Sequence, residues 1–146
     1  SFAESPGEIT TPTLTPLPAG RAFIVDNGPL AIQNIVNSQQ GCNWMGVTGQ
    51  VRDAGGNPIY GQQVQIGGTL PGQPGVVDQL TLTGLSAANG PGFYQFTLAE
   101  EPVASSGTLW IQLLSQSGIP ISDKIFFQTY DDCQRNQVVI DFKQAR

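Results

Sequence analysis

The side chains able to do chemistry in this chain are few, and their spacing suits turns better than catalysis. The 146 residues contain no histidine. That removes the commonest general base, the usual activator of serine and cysteine nucleophiles, and the commonest neutral metal ligand. Paired carboxylates remain at Glu100-Glu101 and Asp131-Asp132, and such pairs can hydrolyse glycosidic bonds. Both pairs fall at expected strand ends, where carboxylates ordinarily accept turn N–H groups, so no enzyme is expected. Asp131, Asp132 and Asp123 could gather oxygens around calcium, but the chain lacks an Asp-x-Asp-x-Asp-Gly series. Turn capping is the simpler role, and no metal or other cofactor is expected. Lys124 and Lys143 are the only lysines. An internal isopeptide bond would need one of them buried beside an Asn and an acid.

Cys42 and Cys133 are the only cysteines. In an exported domain they pair and close one long loop; in a reducing compartment they stay free thiols. Pro, Gly and Thr are abundant, and the sequence opens at Ser1 without Met or signal peptide, as a processed mature chain would. These features point to export, to the disulfide, and to a secreted, extracellular or cell-surface location. With both sulfurs bonded, a thiolate zinc site falls away.

Six basic residues stand against eleven acidic ones, which argues against nucleic acid and anionic membranes as partners, since both need Lys/Arg clusters. The longest apolar run, Leu109 to Leu114, is broken by Gln112. It is strand-sized, far from the ~20 residues of a membrane helix, so no membrane span is expected. Phe93, Tyr94, Phe96, Trp110, Phe126, Phe127 and Tyr130 read as strand residues of a core. Trp44 sits two residues from Cys42 and is expected to pack over the disulfide. A carbohydrate-binding face needs two or three exposed coplanar rings, and its candidate members are Trp44, Tyr60 and Tyr130.

The elements that position these residues are strands. Val47, Gly49 and Val51 alternate with Thr48, Gln50 and Arg52, the period of a strand with one buried face. Asp53-Ala-Gly-Gly-Asn-Pro58 supplies turn residues in a block, and a second alternating strand follows through Gln62, Val64 and Ile66. Turn signals then recur, giving strands near 45–53, 59–66, 77–83, 92–98, 107–115, 119–130 and 136–143. No apolar series of helical period persists for three turns. The pattern predicts an all-β, Ig-like or transthyretin-like seven-stranded sandwich. Its expected core is Val47, Val51, Val64, Ile66, Leu80, Leu82, Tyr94, Phe96, Leu109, Ile111, Ile125, Phe127, Val138 and Ile140.

Residues 1–20 differ in composition. Pro6, Pro12, Pro16 and Pro18 exclude helix and a central strand, leaving extended or edge-strand geometry. Residues 22–25 and 30–36 read as two short strands split by the turn Asp26-Asn-Gly-Pro29. The expected division is therefore an extended Pro/Thr-rich arm with short strands over 1–40 and a sandwich domain over 41–146.

The stretch GQVRDAGGNPIYGQQVQIGG, followed by GPGFYQFTL, resembles the carboxypeptidase regulatory-like (transthyretin-like) β-sandwich family of secreted bacterial surface proteins. The matching residues are Gly49, Val51, Asp53, Gly56, Pro58, Gly61 and Val64, then Gly92, Tyr94 and Phe96. They cover roughly residues 45–100. The stretch 42–142 also resembles a domain of secreted proteins from filamentous, often thermophilic bacteria. The first resemblance implies a sandwich used as an accessory or stalk module, with no shared active site.

Two functions fit. One is a structural subunit of an extracellular filament or surface assembly, with the N-terminal arm docking on a neighbouring copy as a donor strand does. Head-to-tail docking of this kind does not close and so builds a polymer. Ile9, Leu14, Leu17, Phe23 and Ile24 are its expected apolar anchors at the subunit interface. The other is a monomeric stalk or carbohydrate-binding accessory module of a larger cell-surface protein.

Overall fold

The computed structural model describes residues 22–145. They are all-β: eight strands in two four-stranded sheets, with no helix. The first sheet runs β1 (Phe23–Ile32), β8 (Gln137–Gln144), β2 (Met45–Arg52), β5 (Phe93–Ala99) in spatial order. The second runs β4 (Val77–Leu82), β3 (Gln63–Gly68), β6 (Ser105–Leu114), β7 (Ile125–Thr129). All neighbours are antiparallel except β2 and β8, which are parallel.

Alternation sets the core. Met45, Val47 and Val51 of β2, Tyr94 and Phe96 of β5, and Val138, Ile140 and Phe142 of β8 face Val64 and Ile66 of β3 and Leu109, Ile111 and Leu113 of β6. Tyr94 and Phe96 meet edge to face at 6.0 Å, a favoured arrangement of aromatic quadrupoles. Gly49 lies opposite Tyr94 in the β2–β5 ladder. A Cβ at Gly49 would fall 2.7 Å from the tyrosine ring and 1.8 Å from the Ile140 carbonyl oxygen. The bare glycine gives the ring its place, and the Tyr94 hydroxyl reaches across to donate to that carbonyl.

Eight strands replace the expected seven because residues 23–32 join the sandwich. Asp26-Asn-Gly-Pro29 does not reverse the chain. It is absorbed as two register shifts within one strand that pairs with β8 along its length. The sandwich thus begins at Phe23 rather than at residue 41, and Phe23 is 7% exposed in its own core. Another difference concerns 119–130, where only Ile125–Thr129 is strand. Ile121 instead donates to the Leu113 carbonyl while its own carbonyl accepts from Phe23, at 3.0 and 2.8 Å, tying the two sheets together. In β4 the expected face is reversed. Leu80 and Leu82 point outward, 57% and 38% exposed, while Gln79 turns inward and donates to the Thr97 carbonyl at 3.1 Å.

The strand directions give the sandwich two poles. One carries the turn 53–62, the connections 83–92 and 115–124, and both ends of the described chain. The other carries the loops 33–44, 69–76, 100–104 and 130–136, and with them the disulfide.

Candidate assembly surface

The residues with chemical potential are scattered over both poles. Asp123 belongs to the turn pole and Asp131 and Asp132 to the disulfide pole, so the three do not converge. Among the described residues no group of three or more His, Cys, Asp or Glu could hold a metal. Asp132 caps its own loop: Oδ1 accepts from Gln134 N–H at 2.8 Å and Oδ2 from Arg135 Nε at 3.0 Å. The Gln134 N–H and the Arg135 side chain together hold its carboxyl below the usual aspartate range. Asp53 is held low in the same way, first by the Asn57 N–H at 2.9 Å and also by Gly55 N–H. These are turn roles, as their spacing implied. Lys124 lies 4.2 Å from the Trp110 ring centroid, and Lys143 lies 3.7 Å from Asp26. Neither contact is the Asn-plus-acid pocket of an isopeptide bond.

Cys42 and Cys133 are bonded, on exposed loops of one pole. Beneath them lies a buried amide network. The Asn136 side chain donates to the Gly41 and Trp44 carbonyls, both at 2.9 Å, and accepts from Asn34 N–H at 2.9 Å. Asn34 donates to the Asn37 and Gly41 carbonyls. Gln137 accepts from Ile35 and Val36 N–H and donates to Thr48 Oγ1. Each amide is used in both directions, so burial leaves no orphaned polar group. The loop 33–43 is fastened over β2 and β8 in this way.

The candidate ligand rings do not form a face. Trp44 is buried, its indole N–H donating to Thr97 Oγ1 at 2.9 Å and its ring against Gly46. Tyr60 is exposed at the turn pole, whereas Tyr130 lies at the disulfide pole under the Arg135 guanidinium, 4.0 Å from its ring centroid. Trp44 therefore drops out, because a tryptophan closed over by its own domain has no face to offer a sugar. Of the expected interface anchors, Ile9, Leu14 and Leu17 lie outside the described residues. Phe23 is spent in the core, and Ile24 is 44% exposed on the other side of the same strand.

What the sequence did not single out is the flank where β4 and β5 lie side by side at the margins of opposite sheets. A cleft of about 710 Å³ opens there towards the disulfide pole, lined by Pro71, Gln73, Thr97, Ala99, Glu100 and Val103 among others. A smaller one of about 200 Å³ opens towards the turn pole, beside Leu82, Leu85, Phe93 and Gln95. Leu85 and Val76, near the two ends of β4, are also exposed. The signal was present in Val77–Leu82, whose alternation allows either face to be outermost. At the far pole from the large cleft, Ala145 N–H donates to the Ala22 carbonyl at 2.9 Å, so the two ends of the described chain leave side by side.

Compared with protein-family models, with curated proteins and with solved structures, the chain matches none of them.

Proposed function

We propose that this chain is a structural, non-catalytic subunit of an extracellular assembly, joined head to tail through its N-terminal arm. The observation that carries the reading is the placement of the ends. Ala22 and Ala145 sit together at the turn pole, while the larger cleft lies at the disulfide pole. A module threaded in line along a stalk needs its two ends at opposite poles; here a tandem array would have to double back. An arm that leaves one pole and reaches the other pole of the next copy makes a heterologous contact, which propagates without closing. The exposed disulfide supports an oxidising compartment, and the scarcity of charge lets copies approach with little repulsion. The Gly49–Tyr94 pairing gives the residues of the transthyretin-like resemblance a physical role in a sandwich and none in catalysis. The stalk or carbohydrate-binding alternative has less support, since Trp44 is buried and Tyr60 and Tyr130 lie at opposite poles.

The test is deletion of residues 1–20. The described strands form two four-stranded sheets and a continuous core, so the shortened chain should fold. The full chain should form filaments visible by electron microscopy and sediment as polymer; the shortened chain should sediment as monomer. Polymerisation of the shortened chain, or a strictly monomeric full chain, would refute the reading.

A further inference from the structure

We infer that the outer edge of β5 accepts residues 9–17 of a neighbouring copy, which add to the first sheet as a fifth strand. The inference rests on the head-to-tail reading above and fixes where its contact falls.

On the acceptor side, β5 pairs with β2 and with no other described strand. The Phe93 carbonyl accepts from Gly84 N–H, and the Thr97 carbonyl from the Gln79 side chain; neither donor belongs to β2. Alternate residues of a strand direct their N–H and C=O to the same side. Gln95, midway between Phe93 and Thr97, therefore presents its N–H and C=O at the outer edge. The sequence of β5, Phe-Tyr-Gln-Phe-Thr-Leu-Ala, has no Pro or Lys, the usual guards of an edge. Both clefts run along it, one beside Phe93 and Gln95 and the other beside Thr97 and Ala99. By contrast, β1 is interrupted by two register shifts and β7 has only five residues.

On the donor side, Pro6, Pro12, Pro16 and Pro18 all occupy even positions. In an extended chain the odd residues from 9 to 17 then keep every N–H on one side, and each missing proline donor falls on the other. A strand of this make can pair along one edge only, which is what a new outermost strand requires. Side chains alternate as well. In that geometry Pro12, Leu14 and Pro16 would make one face largely apolar, while the other would carry Thr11, Thr13 and Thr15 between Ile9 and Leu17. The largely apolar face suits the flank where Leu82 and Leu85 are exposed.

The occupant is another copy rather than the chain's own arm. From residue 17 to residue 22 the chain spans at most about 18 Å when fully extended. Four strand spacings, about 19 Å, separate β1 from a strand added beyond β5, and the path must also bend around the pole.

Two defective chains test this together. Gln95→Pro in the full chain removes an edge N–H while sparing the β2 ladder, a position where proline is tolerated. Leu82→Glu in the full chain places a charge in the flank without touching the β5 backbone, and it carries the test if Gln95→Pro fails to fold by near-ultraviolet circular dichroism. Each acceptor-blocked chain alone, and the chain lacking 1–20 alone, should sediment as monomer. An equimolar mixture of an acceptor-blocked chain with the arm-deleted chain should give a 1:1 dimer and nothing larger, because one intact arm meets one intact edge. If both acceptor variants polymerise like the parent chain, the β5 edge is not the acceptor, although the head-to-tail reading stands. If the arm-deleted chain polymerises, or the parent is monomeric, that reading falls and the inference with it.

Discussion

Replacing both Cys42 and Cys133 by serine isolates the contribution of a single covalent link to this fold. Both residues are exposed, so the smaller hydroxyls leave no cavity in the folded state. The pole is also held without them, since Asn136 grips the Gly41 and Trp44 carbonyls at 2.9 Å and receives the Asn34 N–H. The folded state should therefore change little, and the effect should fall on the unfolded chain. The bridge joins residues 91 apart. The chain-entropy relation gives about 4.6 kcal/mol at 25 °C for a loop of that size. Urea unfolding followed by tryptophan fluorescence reads it directly. With a slope of roughly 2 kcal/mol per molar, the midpoint should fall by about 2 M. The slope itself should rise, because an unbridged chain exposes more surface when it unfolds. A loss below about 1 kcal/mol with an unchanged slope would refute the reasoning, because it would mean the unfolded chain is confined by something other than the bridge.

Tyr94→Phe removes the donor to the Ile140 carbonyl and should cost about 1–3 kcal/mol, the range for leaving a buried acceptor unpaired. Burial, with a smaller push from Asp141, raises the Tyr94 hydroxyl well above its ordinary pKa. The folded value thus exceeds the unfolded one, so its stabilisation is complete below pH of about 10 and declines as pH rises beyond that; urea titrations at rising pH should show this decline in the parent chain and less of it in Tyr94→Phe. Gly49→Ala would bring a methyl to 1.8 Å from the Ile140 carbonyl oxygen and should cost about 3 kcal/mol or more in thermal unfolding, at the upper end for overpacking; a cost below about 1 kcal/mol would contradict the close approach. Leu80→Thr should stay within about 0.5 kcal/mol, whereas Phe96→Ala should cost roughly 3–5 kcal/mol, and equal costs in denaturant titration would mean that β4 faces the other way.

The strands of this fold were legible where a central position forced one side chain set inward. Val47 and Val51, Val64 and Ile66, and Leu109 and Ile111 alternate and are buried as read. The turn at Asp53 is also where its residues placed it, with Gly55 N–H donating to Asp53 Oδ1 at 2.9 Å. The pairing of the cysteines followed from their number and the composition around them. Legibility failed at the margins. An edge strand such as β4 is partly wet on both faces, so its alternation does not say which set is inside, and Leu80 and Leu82 took the outer one. Asp26-Asn-Gly-Pro29 carries every mark of a reversal, yet a long partner in β8 lets the same residues be taken up as bulges. The buried amides Asn34, Asn136 and Gln137 could not be read at all, because each is held by at least one partner brought from more than ninety positions away. Phe23 was assigned to a neighbour for the related reason that its pocket is assembled from distant strands.

The neighbouring ends of the described chain also determine how this molecule would answer to tension. Phe23 lies opposite Gln144, so a pull applied between Ala22 and Ala145 loads the ladder between β1 and β8 at its terminal rung. The rungs would then fail in sequence, like a zip, at low force. The extension would not run on, however. The bond between Cys42 and Cys133 short-circuits everything between them, and only residues 22–42 and 133–145 can straighten, a reach of roughly 100 Å. Under load the domain is a short, self-arresting tether in which the other two strands of the first sheet, β2 and β5, stay out of the path of the force.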